Sequence, residues 1–405
     1  MGQTFQLAAP RAKMALDWGY SLGEMLFDGS AKTLVPLLAV PLRPQNSQSQ
    51  SDRCATDMAA GDSHEILMGK RSKRKADGEM PAGSRQRRKR AKAKDGDHGP
   101  DIVPPITFCD LSVELHRLVF AHLESIEDVI CLGLASRYFW AIGRDYVHDY
   151  YTSFLGRWAG QNIVCVGEDV KPGDFPPGLF SAEEVAELCQ RTTDIPYDHD
   201  YPDDVAFPAV PFTLYHFTFP SISNMERECD LETKSQLIYF QCLDRGRRSD
   251  QPDDPALALA YSDICVTEST YFPETQPWIL RNLTTKEFVR SEAIALKPEF
   301  IHGPSIDVLG FGEVVMSRIC WSTSSYVSMD DTSNISRGVW AGHCFDITTL
   351  ARHLDETRGA EWKDVSEEVA SEIAGIWEAE YGPDWRETVC NVWYQTYGSH
   401  RRAGI

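Results

Sequence analysis

A break in apolar content constrains this chain more than any other feature. From Pro44 to Pro100 it passes through the polar tract Pro44-Gln-Asn-Ser-Gln-Ser-Gln-Ser51, a basic stretch, and Asp95-Gly-Asp-His-Gly-Pro100. So few apolar side chains cannot offset the entropy of ordering a backbone, and residues 43–101 are expected to form a disordered linker. The patterned regions on either side must therefore fold without it. Residues 1–42 carry Phe5, Leu7, Trp18, Leu22, Met25, Leu26 and Phe27, more apolar surface than a free tail needs, and are expected to pack on the later body. Patterned chain resumes at Ile102 and continues to the end, interrupted once by the acidic, Pro-rich Asp194–Pro211. A length of 405 residues suits two or three folded units, with 42% hydrophobic residues to build their cores.

Charge divides along the same line. Residues 70–94 hold 12 basic and 2 acidic side chains, a local +10; set against −20 for the whole chain, this leaves −30 elsewhere. Such asymmetry marks an interaction tail or an address beside an acidic body. The cations form two clusters, Lys70, Arg71, Lys73, Arg74, Lys75 and Arg85, Arg87, Arg88, Lys89, Arg90. Their spacing resembles a bipartite nuclear localisation signal and implies an importin as partner. A solvated basic linker and non-specific nucleic-acid contact are the other readings; no aromatic residue is interleaved for base stacking, so no specific nucleic acid is expected. The 11 cysteines are odd in number and lack any C-x-x-C pair or zinc-finger spacing, which reads as free thiols in a reducing compartment, with no metal site. No run is long enough to span a bilayer: the best, Leu34 to Leu42, is short and holds Pro36 and Pro41. Met1-Gly2 lacks the Ser or Thr at position six that myristoylation wants, Gln6 standing there instead.

Residues 102–150 read as a small helical unit. Ser112 is placed to cap a helix with Glu114 in its first turn, and Leu115, Leu118, Val119 and Leu123 follow at one-face spacing. Ser125 and Asp128 have capping-box spacing for a second helix through Val129, Ile130, Leu132 and Leu134. Ser136-Arg137 opens a third segment, Tyr138–Ile142, expected to stop near Gly143. About 40 residues bury little core, so the unit must lean on a partner or on the rest of the chain.

The runs Leu111-Ser-Val-Glu-Leu115, Leu118-Val-Phe-Ala-His-Leu123, Ile126-Glu-Asp-Val129 and Leu132-Gly-Leu-Ala-Ser-Arg137-Tyr-Phe139 resemble an F-box. Ser112 stands in place of the usual proline and Ala135 in place of a common valine. The resemblance implies a three-helix module that docks on a Skp-family adaptor and, through it, a cullin. Matched positions carried over as adaptor-binding are Leu111, Leu115, Leu118, Phe120, Leu123, Val129 and Leu132, some of which must be internal core. Gly133–Arg144, Phe154–Gly160, Arg281–Arg290 and Gly338–His343 further resemble uncharacterised fungal F-box proteins.

Residues 151–405 mix strands and helices. Strands are expected at 163–166, 237–242, 278–283, 288–293, 313–321 and 339–347. Ser181-Ala-Glu-Glu184 should open a short helix, and Trp362, Val365, Val369, Ile373, Ile376 and Trp377 mark a long amphipathic one ended by Gly382-Pro383. Catalytic signals are weak. Gly310-Phe-Gly-Glu-Val-Val315 lacks a third glycine and a Walker lysine, and reads as glycines in a strand. His343 and Cys344, near Asp346, fall on opposite sides of one expected strand. Asp198, Asp200, Asp203 and Asp204 around His199 lack the glycine and terminal Glu of a calcium loop.

The sequence thus points to an α+β protein: a three-helix F-box at 102–150 followed by a mixed strand and helix domain at 151–405, with a basic linker near the N-terminus. The expected function is that of a non-catalytic, cofactor-free substrate-recognition subunit of an SCF-type ubiquitin ligase, nuclear with a cytoplasmic pool allowed. Its C-terminal domain would bind a protein substrate. The alternative is a nuclear interaction scaffold that uses the F-box fold without ubiquitin transfer.

Overall fold

The computed structural model describes residues 2–44, 107–193, 209–219, 231–246, 255–330 and 333–396. The basic clusters, the greater part of the expected linker, and the acidic loop around His199 lie outside the described residues.

Helices and strands alternate through the chain, in the mixed architecture expected. Two four-stranded sheets organise it. The first is built from β1 (Thr4–Ala9), β2 (Met14–Ser21), β3 (Val164–Gly167) and β10 (Cys320–Trp321), in the order β10-β3-β1-β2. Residues 1–42 thus enter a sheet whose other strands come from far along the chain; β1 runs antiparallel to both β2 and β3, while β10 joins β3 in parallel. Alternation assigns the two faces. Phe5, Leu7, Ala9 and Cys165 face the main core, whereas Val164 and Val166 face a smaller cluster with Leu179, Leu214 and Tyr215.

The second sheet has the order β11-β6-β7-β12, from β6 (Trp278–Asn282), β7 (Glu287–Arg290), β11 (Phe345–Thr349) and β12 (Lys363–Asp364). Among the described residues, two two-stranded pieces complete the strands: β4 (Thr192–Thr193) with β5 (Val210–Pro211), and β8 (Ile301–His302) with β9 (Ser305–Ile306). On the second sheet Trp278, Leu280, Val289, Phe345 and Ile347 enter the main core. On the opposite side Arg281 lies directly across from Asp346, donating to both its carboxylate oxygens at 2.8 and 2.6 Å and to Glu356 at 2.9 Å. An Arg fork on a carboxylate in this partly dry setting fixes the register of β6 against β11.

Several sequence expectations fail for identifiable reasons. Residues 237–242 lie in the helix Leu231–Gly246, where Leu231, Ser235, Ile238 and Cys242 form the buried stripe at helical spacing. Residues 313–319 belong to the helix Phe311–Ile319, every residue of which is buried. A helix covered all round shows no amphipathic period, and Val314, Val315 and Ile319 imitate a strand. Gly310 is therefore the N-cap of a helix rather than a strand glycine, and Gly312 lets this helix approach the N-terminal segment: an added Cβ would stand 2.1 Å from the Ala31 carbonyl oxygen. The strand expected to reach 293 ends at Arg290, where the helical turn Ser291–Ile294 starts. That expected from 339 starts only at Phe345, after a turn in which Gly342 has φ +81°. The long amphipathic helix runs Ser366–Tyr381, with Gly382 as its C-cap, and Ser181 caps Ala182–Leu188 through a full capping box.

Residues 107–152 form a 3₁₀ turn, Phe108–Asp110, and three helices, Val113–Ala121, Ile126–Leu134 and Arg137–Thr152. Ser125 and Ser136 cap the second and third helices, accepting the amides of Asp128 and Phe139 at 3.1 Å. Ser112 sits at the N-cap position in extended conformation, but its hydroxyl caps no amide; it instead helps hold the Glu114 carboxyl below its ordinary range. The third helix does not stop at Gly143. The Phe120 ring packs there, so closely that a Cβ would meet its edge at 2.9 Å. Glycine at this point is a close-packing residue inside a helix.

Candidate docking face on the 107–134 segment

The first helix has two unlike faces. Inward, His116 and Phe120 are buried, each 1% exposed. His116 bridges the Phe108 carbonyl oxygen (Nε2, 2.7 Å) and the Tyr138 hydroxyl (Nδ1, 2.9 Å), and lies about edge-on to Phe108, Tyr138 and Phe139. Burial in this cluster pushes the Tyr138 hydroxyl above its usual range. Phe120 stacks on Tyr146, whose hydroxyl donates to the Arg117 carbonyl oxygen at 2.9 Å. Outward, Leu115 and Leu118 stand 45% and 54% exposed, with Val113 and Phe108 also at the surface. Leu115 and Leu118 stand at the i, i+3 spacing of one helix face, while Leu111 is half-buried in the extended chain just before the helix. The inner contacts hold this face fixed while its apolar side chains remain in water.

The seven residues carried over as adaptor-binding therefore separate into groups. Leu115 and Leu118 are accessible, and Leu111, Leu123 and Leu132 are half-buried. Phe120 and Val129 belong to the main core and cannot meet a partner without unfolding the helix. Val113 and Phe108 share the surface position with Leu115 but were not among the seven; Val113, three residues before inward-facing His116, was legible only once the inner face was known.

The segment is tied to the body through the third helix. Arg144 donates to Asp263 at 2.8 Å, and the Trp140 indole N–H donates to the same carboxylate at 3.2 Å. His148 Nδ1 meets the Tyr271 hydroxyl at 2.9 Å, and the Tyr151 hydroxyl donates to the Ile264 carbonyl oxygen at 2.8 Å. Burial depresses the His148 pKa, keeping the imidazole neutral, and raises both tyrosine hydroxyls. These directional contacts, buried among apolar residues, specify one docking geometry for the helix, although His148 Nε2 has no hydrogen-bond partner among the described residues.

The Gly310–Val315 and His343–Asp346 signals fall among the described residues. Asn282 accepts the amides of Thr284 and Thr285 through Oδ1, so its Nδ2 faces His343 Nδ1 at 2.9 Å and makes that nitrogen the acceptor. Burial lowers the His343 pKa and raises that of the Cys344 thiol, the directions that leave a neutral imidazole and a protonated thiol. Asp346 is engaged by Arg281. Among the described residues no group of three His, Cys, Asp or Glu side chains is placed to hold a metal ion, and no helix is long and apolar enough to cross a membrane. A cleft of about 120 Å³ lies between Ile294, Leu309, Ile373 and Trp385, with Arg386 at its edge. Comparison with family models, with curated proteins and with solved structures finds no match.

Proposed function

We propose that this chain is an F-box protein: the substrate-recognition subunit of an SCF-type ubiquitin ligase. The observation that carries this reading is the pair Leu115 and Leu118, exposed on a helix whose other face is locked by His116 and Phe120. A few large side chains presented on a rigid helix are what helix-in-groove recognition needs, because little further ordering is lost on binding. Burying Leu115 and Leu118 against an apolar groove would contribute roughly 1.5 kcal/mol or more for each leucine. The partner is a Skp-family adaptor, which links the chain to a cullin. The 151–405 region presents a protein target, and the chain supplies proximity while a partner's thioester supplies the chemistry. The basic clusters direct the chain to the nucleus through an importin.

A pull-down with purified Skp-family adaptor tests the reading, comparing wild type with Leu115→Asp/Leu118→Asp, alongside circular dichroism. Because both leucines are exposed, the variant should stay folded and lose the adaptor. Wild type that fails to bind removes the ligase assignment. Capture of adaptor without cullin favours the scaffold reading. Separately, a reporter carrying residues 65–96 should accumulate in nuclei; even distribution overturns the import claim alone.

A further inference from the structure

We propose that Glu313 makes the seat of the N-terminal segment sensitive to protonation: the Ser30–Thr33 turn packs on the Phe311–Ile319 helix, which encloses this carboxyl, and ionisation of the buried acid loosens that packing. Glu313 lies in the first turn of this helix and is 3% exposed. The helix packs on Leu22–Phe27, Ser30–Thr33 and Leu34–Leu38, with Gly312 directly beneath the Ala31 carbonyl. The Glu313 carboxyl is thus enclosed between its own helix and the N-terminal segment. Oε2 accepts the Gly310 amide at 2.8 Å. A buried carboxylate needs an ion pair to stay charged cheaply, and Glu313 belongs to none of the ion pairs among the described residues.

The surrounding charges divide in sign. From the N-terminal side Lys32 favours the anion and Asp28 opposes it. Glu24, on Leu22–Phe27, is engaged by its own N-cap Ser21. The Ser366–Tyr381 helix brings Glu368 and Glu372, both paired with Arg318 at the far end of the Glu313 helix, together with Glu367, Glu378, Glu380 and Tyr381. Cys165 of β3 and the Leu34–Leu38 segment add no charge. The helix N-terminus and the Gly310 amide favour ionisation, but desolvation outweighs them and pushes the carboxyl up to about 7. A folded-state pKa above the unfolded one contributes stability that is complete below the ordinary Glu range and is lost as pH rises through about 7. The gap corresponds to on the order of a hundredfold in the equilibrium constant.

Hydrogen exchange and thermal unfolding of the full chain, wild type against Glu313→Gln, test this at about pH 5 and about pH 8.5. Wild type should lose amide protection in residues 22–38 at the higher pH, after correction for intrinsic exchange, while Glu313→Gln keeps it. The melting temperatures should coincide at the lower pH, with the variant higher at the upper. Asp28→Asn, which leaves the buried packing untouched, should move the midpoint of the protection loss to lower pH. Protection in 22–38 that ignores pH in wild type overturns the proposal, as does an offset between wild type and Glu313→Gln that is equal at both pH values. Should Glu313→Gln fail to fold, an Asp28→Asn midpoint identical to wild type overturns it as well.

Discussion

Replacing Asp263 should separate the roles of the third helix and the first. Asp263 and Arg144 have side chains only 7% and 12% exposed, and the carboxylate also accepts the Trp140 indole N–H. Asp263→Ala leaves a guanidinium without its partner in a nearly dry site, a class of change that costs about 3–5 kcal/mol. The orphaned indole N–H would by itself cost about 1–3 kcal/mol, but the two losses share one carboxylate and do not add. The expected destabilisation is therefore about 4 kcal/mol, a large share of the ~5–15 kcal/mol that holds a typical domain together. Urea unfolding followed by tryptophan fluorescence measures it. Asp263→Asn keeps an acceptor for Trp140 and should lose less, and Arg144→Met/Asp263→Leu should recover most of the loss, since an apolar pair of similar volume often replaces a buried ion pair at no cost. A loss under about 1 kcal/mol for Asp263→Ala would refute the reasoning, because it would mean that water reaches Arg144 and the helix is not fixed to the body by this pair.

Other positions give independent checks. Gly143→Ala should destabilise by about 1–3 kcal/mol through its clash with Phe120, although alanine is the better helix former by about 1 kcal/mol; unchanged or raised stability in urea would show that the ring moves aside. Phe120→Ala should cost about 3–5 kcal/mol, whereas Leu118→Ala on the same helix should stay within about 0.5 kcal/mol, a contrast that denaturant midpoints report directly. The His148 pKa is depressed by burial, so its contribution is complete above the ordinary His range and is lost as pH falls below it. His148→Gln should accordingly flatten the fall in stability between about pH 7 and pH 5. A slope identical to wild type would show that His148 titrates alike in folded and unfolded chains.

The parts of the fold legible in the sequence were those with one exposed and one buried face. Ser125 and Ser181 cap where their spacing placed them, and Val369, Ile373, Ile376 and Trp377 line the buried side of Ser366–Tyr381. The Phe311–Ile319 helix was illegible because burial on all sides erased its period. Leu231–Gly246 was misread because Leu237 and Phe240, exposed on its outer face, broke the apolar stripe formed by Leu231, Ile238 and Cys242. Within the docking face, the apolar residues were visible as a set, but their division was not. Phe120 and Leu118 differ by two residues in sequence and by opposite faces in the structure, a distinction set by Gly143 and Tyr146 more than twenty residues downstream.

The first sheet also governs the order in which the chain can mature. β1 and β2 leave the ribosome well before the rest of their sheet: β3, the next strand, begins at Val164, and β10 only at Cys320. At typical translation rates of 5–20 residues per second, the hairpin waits on the order of ten seconds for β3 and longer for β10. During that wait the core-facing sides of Phe5 and Leu7, and the open edge of β1, have no native cover. The three helices at 113–152 emerge after the hairpin but before β3, and their contacts with one another are local, so they can form before the sheet closes. The Thr4–Ser21 hairpin, made long before the strands that cover it, is thus among the last parts to find its place.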